Sequence, residues 1–433
     1  MTSRLWSRRD PRSATTACRH PRGSLAAATI LTVLAVACAP STPPPPTTAQ
    51  IAEGYVRAAL QLAQHDPGLV DDWRGSGAWK PGPREPVATI LARIDALRES
   101  LGERRGNASA DGDRRAYLAG QLTALQMAAH HLLGESPGFD NEARRALGVT
   151  APRADAARVA AARDALSKEL PGPGPLRDRL AAFRKRFAVP ANRADALMRR
   201  ALALCRDATV QAIPLPQDEE VELNFVSGMP WDGYARYLGN HRSRIDINKD
   251  GGLDVTRLLH LACHEGYPGH HVQNLLIDDA LVQERGWDEF LLAPGFGPHL
   301  LVTEGAAEAA ADLAFPPLAR EVVYRDVLLP DAGLGGGDAG RLVRVEEAIR
   351  ALEPVIADVV RDYLESTITS AEAIDRLRDE ALTPDPDGLL AFAERRRTRV
   401  LAYPAGRPRV QAILGAELAG LNRVFVERPF ALQ

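Results

Sequence analysis

Between Leu258 and Gln273 the chain reads L-L-H-L-A-C-H-E-G-Y-P-G-H-H-V-Q, which sets His260, His264, His270 and His271 around Glu265. Four of the chain's ten histidines fall in this stretch. Imidazoles gathered near a carboxylate are the side chains that hold a divalent transition metal and act on water beside it.

The spacing constrains how they could do so. Zinc-peptidase helices of the H-E-x-x-H type place histidines four apart on one face. Four residues after His264 this chain has Pro268, and the next histidines come six and seven on. On an unbroken helix His271 would share the face of His264 but lie about 10 Å along the axis, too far for one ion with bonds of about 2 Å. A shared metal therefore requires a broken helix. Pro268 supplies a cause, because it cannot donate to the carbonyl of His264 and its ring crowds that turn, and Gly269 accepts unusual dihedrals. Glu265 sits where H-E-x-x-H enzymes keep the carboxylate that takes a proton from water.

A third ligand should come from another helix. Leu300 to Ala314 carries Glu304, Glu308 and Asp312 at spacing four on a background of Ala, Gly and Leu. Residues this small imply close packing, where an uncompensated carboxylate is costly and a metal would compensate it. A competing arrangement pairs His260 with His264, which are four apart, and leaves His270 and His271 outside. Cys263 is a soft ligand type, but it lies on a different helix face from His264 and reads as a small buried hydrophobe. The adjacent His130 and His131 point about 100° apart and read as ordinary helix residues.

The elements around this stretch are mostly helical. From Ile51 to Arg206 apolar residues recur at three and four, interrupted at Pro67-Gly68, Pro81-Gly82 and Pro171 to Pro175. From Pro214 to Asp254 the texture changes to V-E-L-N-F-V and S-R-I-D-I-N between Gly, Pro and Asn, the pattern of a few short strands and the only sheet the sequence suggests. An edge strand there could pair with an extended peptide, or the strands could simply cap the helices. Helical patterns then return to the C-terminus. The expected fold is mainly α: a large helical, metallopeptidase-like body with a small β-hairpin or sheet next to the metal helix.

Residues 1–37 hold six Arg and one Asp, a charge of +5 that leaves −8 on the remainder of a chain whose total is −3. No basic field remains to attract nucleic acid. The uncharged run Leu25 to Ala37 is thirteen residues long, too short to span a bilayer comfortably, and follows a basic segment as in a secretory leader. The A-V-A-C ending at Cys38 resembles a lipoprotein signal with Leu34 one place further from the Cys than in the strong form, and a Pro-rich tether follows. The expected organisation is a signal peptide over 1–37, a tether over 38–50, an N-terminal helical region over 51–210 and a metal-site region over 211–433. The protein is expected to be exported to the periplasm or cell surface, with membrane attachment through acylated Cys38. Apart from Cys18 and Cys38 the chain has Cys205 and Cys263, which make no disulfide scaffold and leave room for one bridge.

H-E-G-Y-P-G-H-H-V-Q closely resembles the signature of the bacterial family catalogued as domain of unknown function 885, whose members carry an H-E-x-x-P-G-H-H type motif. T-E-G-A-A-E from Thr303 to Glu308 looks like that family's E-G-W-A-x-x-x-E region, with Ala306 and Ala307 in place of bulkier residues. R-V-L-A-Y-P-A-G, followed by Gly415, resembles its R-Y-x-x-x-P-G-Q segment with two extra residues. The family is similar to helical zinc peptidases with a deep channel, such as thimet oligopeptidase-like and carboxypeptidase Taq-like enzymes. Carried over by position, the resemblance implies His264, His270 and Glu304 as ligands of one Zn²⁺, and Glu265 as general base. It also implies His271 and Glu308 as groups that orient the ligands. Tyr403 stands in for an oxyanion-stabilising hydroxyl, and Arg407 and Arg409 for partners of a substrate carboxylate. These readings together describe an exported zinc metallohydrolase acting on a peptide or another small amide. Two alternatives use the same site: a catalytically inactive or metal-retaining peptide-binding lipoprotein, and an amidase or esterase of cell-envelope material.

Overall fold

Thr47 opens the first helix, α1 (Thr48–Ala63), through a reciprocal cap: its hydroxyl accepts from the Gln50 amide while Gln50 reaches back to the Thr47 amide. Ile51, Ala52, Tyr55, Val56, Ala59 and Leu62 recur along one stripe of α1 and are buried. Chain breaks fall at the proline clusters. After Pro67 comes a short strand, β1 (Val70–Trp73), and after Pro86 comes α2 (Val87–Leu101). The 23-residue α3 (Ala110–Leu132) packs on α1 and α2 and buries Leu118, Leu122 and Leu125.

The structure is a computed structural model that describes residues 45–102 and 110–431. The expected leader, Cys38 and the first part of the tether lie outside the described residues, whereas residues from Thr48 onward are already helical. Helix dominates and strands are short, so the fold is mainly α. No helix among the described residues is long and apolar enough to cross a membrane.

The strand-like stretch folds as a three-stranded sheet: β2 (Glu220–Val226), β3 (Gly233–Gly239) and β4 (Arg242–Asn248), in the order β2-β4-β3. β4 is the central strand, and one of its faces carries Ile245 and Ile247, both fully buried, while Arg244 and Asp246 lie on the other. It pairs in parallel with β2 and antiparallel with β3, to which it is joined through Asn240 and His241, both at positive φ as a tight hairpin requires. β3 is an edge strand of this sheet and approaches the histidine cluster at Gly233, beside Glu265. This is not the only sheet: β1 pairs antiparallel with β5 (Leu292–Pro294), a contact more than 200 residues apart in sequence that local pattern could not disclose.

Five helices carry the site. α4 (Ala194–Val210) packs on the turn that holds His264 and is tied to it by a Cys205–Cys263 disulfide, so Cys263 is neither a ligand nor a free buried thiol. α5 (Val255–Leu261) begins at Asp254, whose side chain accepts from the Thr256 and Arg257 amides. α6 (His270–Ile277) resumes after a break, and α7 (Gly297–Ala314) crosses behind both. The last of the set, α8 (Ala402–Leu414), lies on α7 at a crossing made possible by two glycines. A Cβ at Gly305 would sit 2.6 Å from the Gly406 carbonyl oxygen, and one at Gly406 would sit 2.5 Å from that of Leu301. Any side chain at either position would force the helices apart. One continuous apolar core joins Tyr55, Leu118, Leu258, Val302, Val410 and Phe425, so the described residues from Pro45 onward form one compact unit.

Candidate metal centre

The helix does break at Pro268. After α5 the backbone widens into a π-turn over Ala262–Gly266, Tyr267 is extended, the Tyr267–Pro268 peptide is cis, and α6 starts at His270. The chain doubles back so tightly that the Gly269 amide donates to the Cys263 carbonyl at 3.0 Å. A Cβ on Gly269 would lie 2.5 Å from that carbonyl oxygen and nearer still to the carbonyl of His264. Glycine is required here by this close approach; its φ of −76° is ordinary.

This break brings His270 back to His264. Their rings stand 4.8 Å apart and nearly perpendicular, and Glu304 reaches in from α7. His264 Nε2 is 3.4 Å and His270 Nε2 3.6 Å from Glu304 Oε2, and all three ligand atoms lie within 4.8 Å of one another. Neither approach has hydrogen-bond geometry, and Glu304 Oε2 is buried without a hydrogen-bond partner. Ligand atoms around a tetrahedral zinc with bonds of 2.0–2.1 Å stand about 3.4 Å from each other. The donor set, the separations and the orphaned oxygen all fit a zinc-sized cation. Burial opposes charge on all three, but Glu304 and Glu308 hold His264 well above its usual range, and His270 and His264 hold Glu304 well below its own.

Glu265, 5% exposed, points at the β3 edge: a Cβ on Gly233 would lie 2.8 Å from Glu265 Oε1. Burial raises its carboxyl above the ordinary value, while the His264 and His270 imidazoles and the Ala235 amide pull the other way. Tyr403 stacks obliquely over His264 at 6.2 Å between ring centres. The Glu304 carboxylate foremost, with that of Glu265, keeps the phenol of this partly exposed tyrosine well above the usual value, so it remains a proton donor at neutral pH. It reaches this position because Gly406, three residues on, lets α8 close on α7.

The remaining expected residues divide. Glu308 does face His264, with Oε1 3.1 Å from Nδ1 and 3.3 Å from His260 Nε2. His271 does not orient a ligand: the reversal at Pro268 turns it away, and it bonds Ser243 of β4 at 2.8 Å and Glu219 at 3.1 Å. Glu219 is fixed in turn by Arg206 and Tyr267, so His271 locks α6 to the sheet. Arg407 is held by Glu353 at 3.2 Å and faces Asp312 at 3.9 Å, behind Glu308. Arg409 is exposed and about 200° around α8 from Arg407, on a different side from the site. Asp312 pairs with Arg350 at 2.9 Å. His130 bonds Glu135 on the surface, away from the cluster.

Three residues near the centre were missed. Gln273 accepts through Oε1 from His270 Nδ1 at 3.2 Å and donates through Nε2 to the Thr303 carbonyl at 3.1 Å, which makes it the group that sets the His270 ring. Its i,i+3 spacing from His270 was the available signal. Asp71 of β1 and Arg399 pair at 3.6 Å on the rim, and no local pattern marks them.

No family model matches the chain, and no curated protein matches it. Among solved structures, it is similar to a candidate lipoprotein from Colwellia psychrerythraea, at 17% identity and a TM-score of 0.49, over 89% of this chain and 74% of that one. It is also similar to a candidate lipoprotein of unknown function from Shewanella oneidensis, at 13% identity and a TM-score of 0.42, over 90% of this chain and 73% of that one. Likeness this distant leaves the chemistry to be argued from the residues of this chain.

Proposed function

We propose that the protein is an exported zinc-dependent hydrolase of peptide bonds, of the kind that the resemblance to the domain of unknown function 885 family implies. The observation that carries this reading is the convergence of His264 Nε2, His270 Nε2 and the orphaned Glu304 Oε2 beside a buried carboxylate, Glu265. A cation held there would supply Lewis acidity toward a carbonyl oxygen and make water acidic near neutral pH. Glu265, with its carboxyl raised by burial, takes the proton of the attacking water and returns it to the leaving amine. Tyr403 donates its hydroxyl proton to the developing oxyanion. The free edge of β3, one residue from the Glu265 carboxylate at Gly233, offers backbone groups to an extended substrate, which favours a peptide over a compact amide.

Glu265→Gln tests the assignment. The variant should keep its zinc and lose turnover of short peptides by about 10²- to 10⁴-fold, the range of a general base. Unchanged turnover would sink the assignment. The second reading, an exported peptide-binding lipoprotein anchored through Cys38 that retains a metal without turnover, predicts unchanged peptide affinity and no hydrolysis by either protein. The two solved structures are described as lipoproteins and nothing more chemical, so they do not weigh between turnover and binding.

A further inference from the structure

The geometry points to a second cation position on the other side of His264, built from His260, Glu308 and the Nδ1 face of His264. It rests on the zinc reading above, with which it shares one imidazole. His264 Nε2 faces Glu304 and His270, but its Nδ1 faces a separate group of three: Glu308 Oε1 lies 3.1 Å from His264 Nδ1 and 3.3 Å from His260 Nε2. These ligand atoms also fall within 4.8 Å of one another. The separations repeat those of the first group and again suit tetrahedral bonds of about 2 Å.

An ordinary explanation would have Glu308 accept hydrogen bonds from both rings. The alignment does not provide them: His264 Nδ1 is buried and has no hydrogen-bond partner, although a carboxylate oxygen stands 3.1 Å away. The residue as a whole is 5% exposed, so water cannot easily complete the nitrogen. A ring whose Nδ1 is unsatisfied and whose two nitrogens face two separate carboxylates, Glu308 and Glu304, is placed to link two cations.

The charges behind Glu308 are already matched. Arg350 pairs with Asp312 at 2.9 Å and Arg407 with Glu353 at 3.2 Å, which leaves the Glu308 charge directed at the two imidazoles. The two positions differ in access: the His260 side chain is 42% exposed, against 18% for His270. The second position therefore opens to solvent, and its cation exchanges more readily than the first. Loading it transfers the remaining ring proton of His264 to solvent, and the imidazole then contributes one nitrogen to each cation.

The test is a count of metal. Chelator-stripped protein is dialysed against zinc over a series of buffered free concentrations, and bound zinc per chain is measured by elemental analysis. Two equivalents are expected at saturation for the wild type. His260→Ala and, separately, Glu308→Gln should each plateau at one, with far-UV circular dichroism and melting profiles checking that both remain folded. His270→Ala should also bind one equivalent, now the weaker. A wild-type plateau at one overturns this inference and leaves the single-zinc reading standing. Two equivalents persisting in His260→Ala overturns it as well. A plateau at zero removes both readings.

Discussion

Replacing Gly269 by alanine tests whether the reversal at Pro268 builds the metal centre. The Cβ would lie 2.5 Å from the Cys263 carbonyl oxygen, whereas real Cβ contacts under 3.0 Å are essentially never seen. The turn would have to open by about 0.5 Å at that atom, and further at the His264 carbonyl, which is nearer. Metal–ligand bonds tolerate deviations of only about 0.2 Å. His264 precedes the turn and His270 follows it, so the opening falls between the two proposed imidazole ligands. Loss of an orienting partner alone costs roughly 10- to 100-fold in metal affinity, and displacement of a ligand costs more. Zinc affinity should therefore fall by at least about 100-fold, or about 2.7 kcal/mol. Competition titration against a chromophoric chelator measures it. Gly77→Ala is the control, because nothing lies within 4 Å of its Cβ position, and it should change neither affinity nor stability by more than about 0.5 kcal/mol. A folded Gly269→Ala protein with wild-type zinc affinity would refute the argument.

Other perturbations follow the same logic. Gly406→Ala drives a methyl into the Leu301 carbonyl at the α7–α8 crossing, and should cost about 1–3 kcal/mol in urea unfolding and weaken turnover by displacing Tyr403. Glu346 is largely covered beside Arg320 and Tyr324, and this desolvation pushes its carboxyl up to about 7. The folded state thus binds this proton more tightly than the unfolded chain: its contribution is complete below about pH 4.5 and is lost as pH rises through about 7. Glu346→Gln should flatten the fall in melting temperature across that window, and an unchanged slope would contradict the assignment. The Cys205–Cys263 bridge closes a separation of 58 residues, so replacing both cysteines by alanine should remove roughly 2–4 kcal/mol of stability, read from the urea midpoint of the oxidised wild type beside the variant.

Much of the centre was legible in the sequence because its constraints are local. A proline four residues after His264 denies the carbonyl of that residue its donor whatever the rest of the chain does, so a break was dictated before any packing was known. The stripe of Glu304 and Glu308 on an alanine background likewise needs only helical periodicity to be noticed, and the small residues beside it foretold the close crossing. The change to alternating apolar residues after Pro214 marked β2 and β4, although β3 and the β1–β5 pair went unseen.

Direction and distance belong to the tertiary structure. His270 and His271 are adjacent and chemically identical, and nothing in their residue types says which one returns to His264; the path of the chain through Tyr267, Pro268 and Gly269 decides it, sending His271 to Ser243 and Glu219 instead. Tyr403 and Arg399 join the centre only because Gly305 and Gly406 allow two helices a hundred residues apart to touch. The Cys205–Cys263 bridge and the Asp71–Arg399 pair likewise join residues far apart in the chain. The sequence by itself determined which side chains could bind a cation and where the helix must break, since both follow from the covalent chemistry of single residues. Which of them share one point in space was decided by long-range packing, because a few ångströms of helix placement outweigh any local preference.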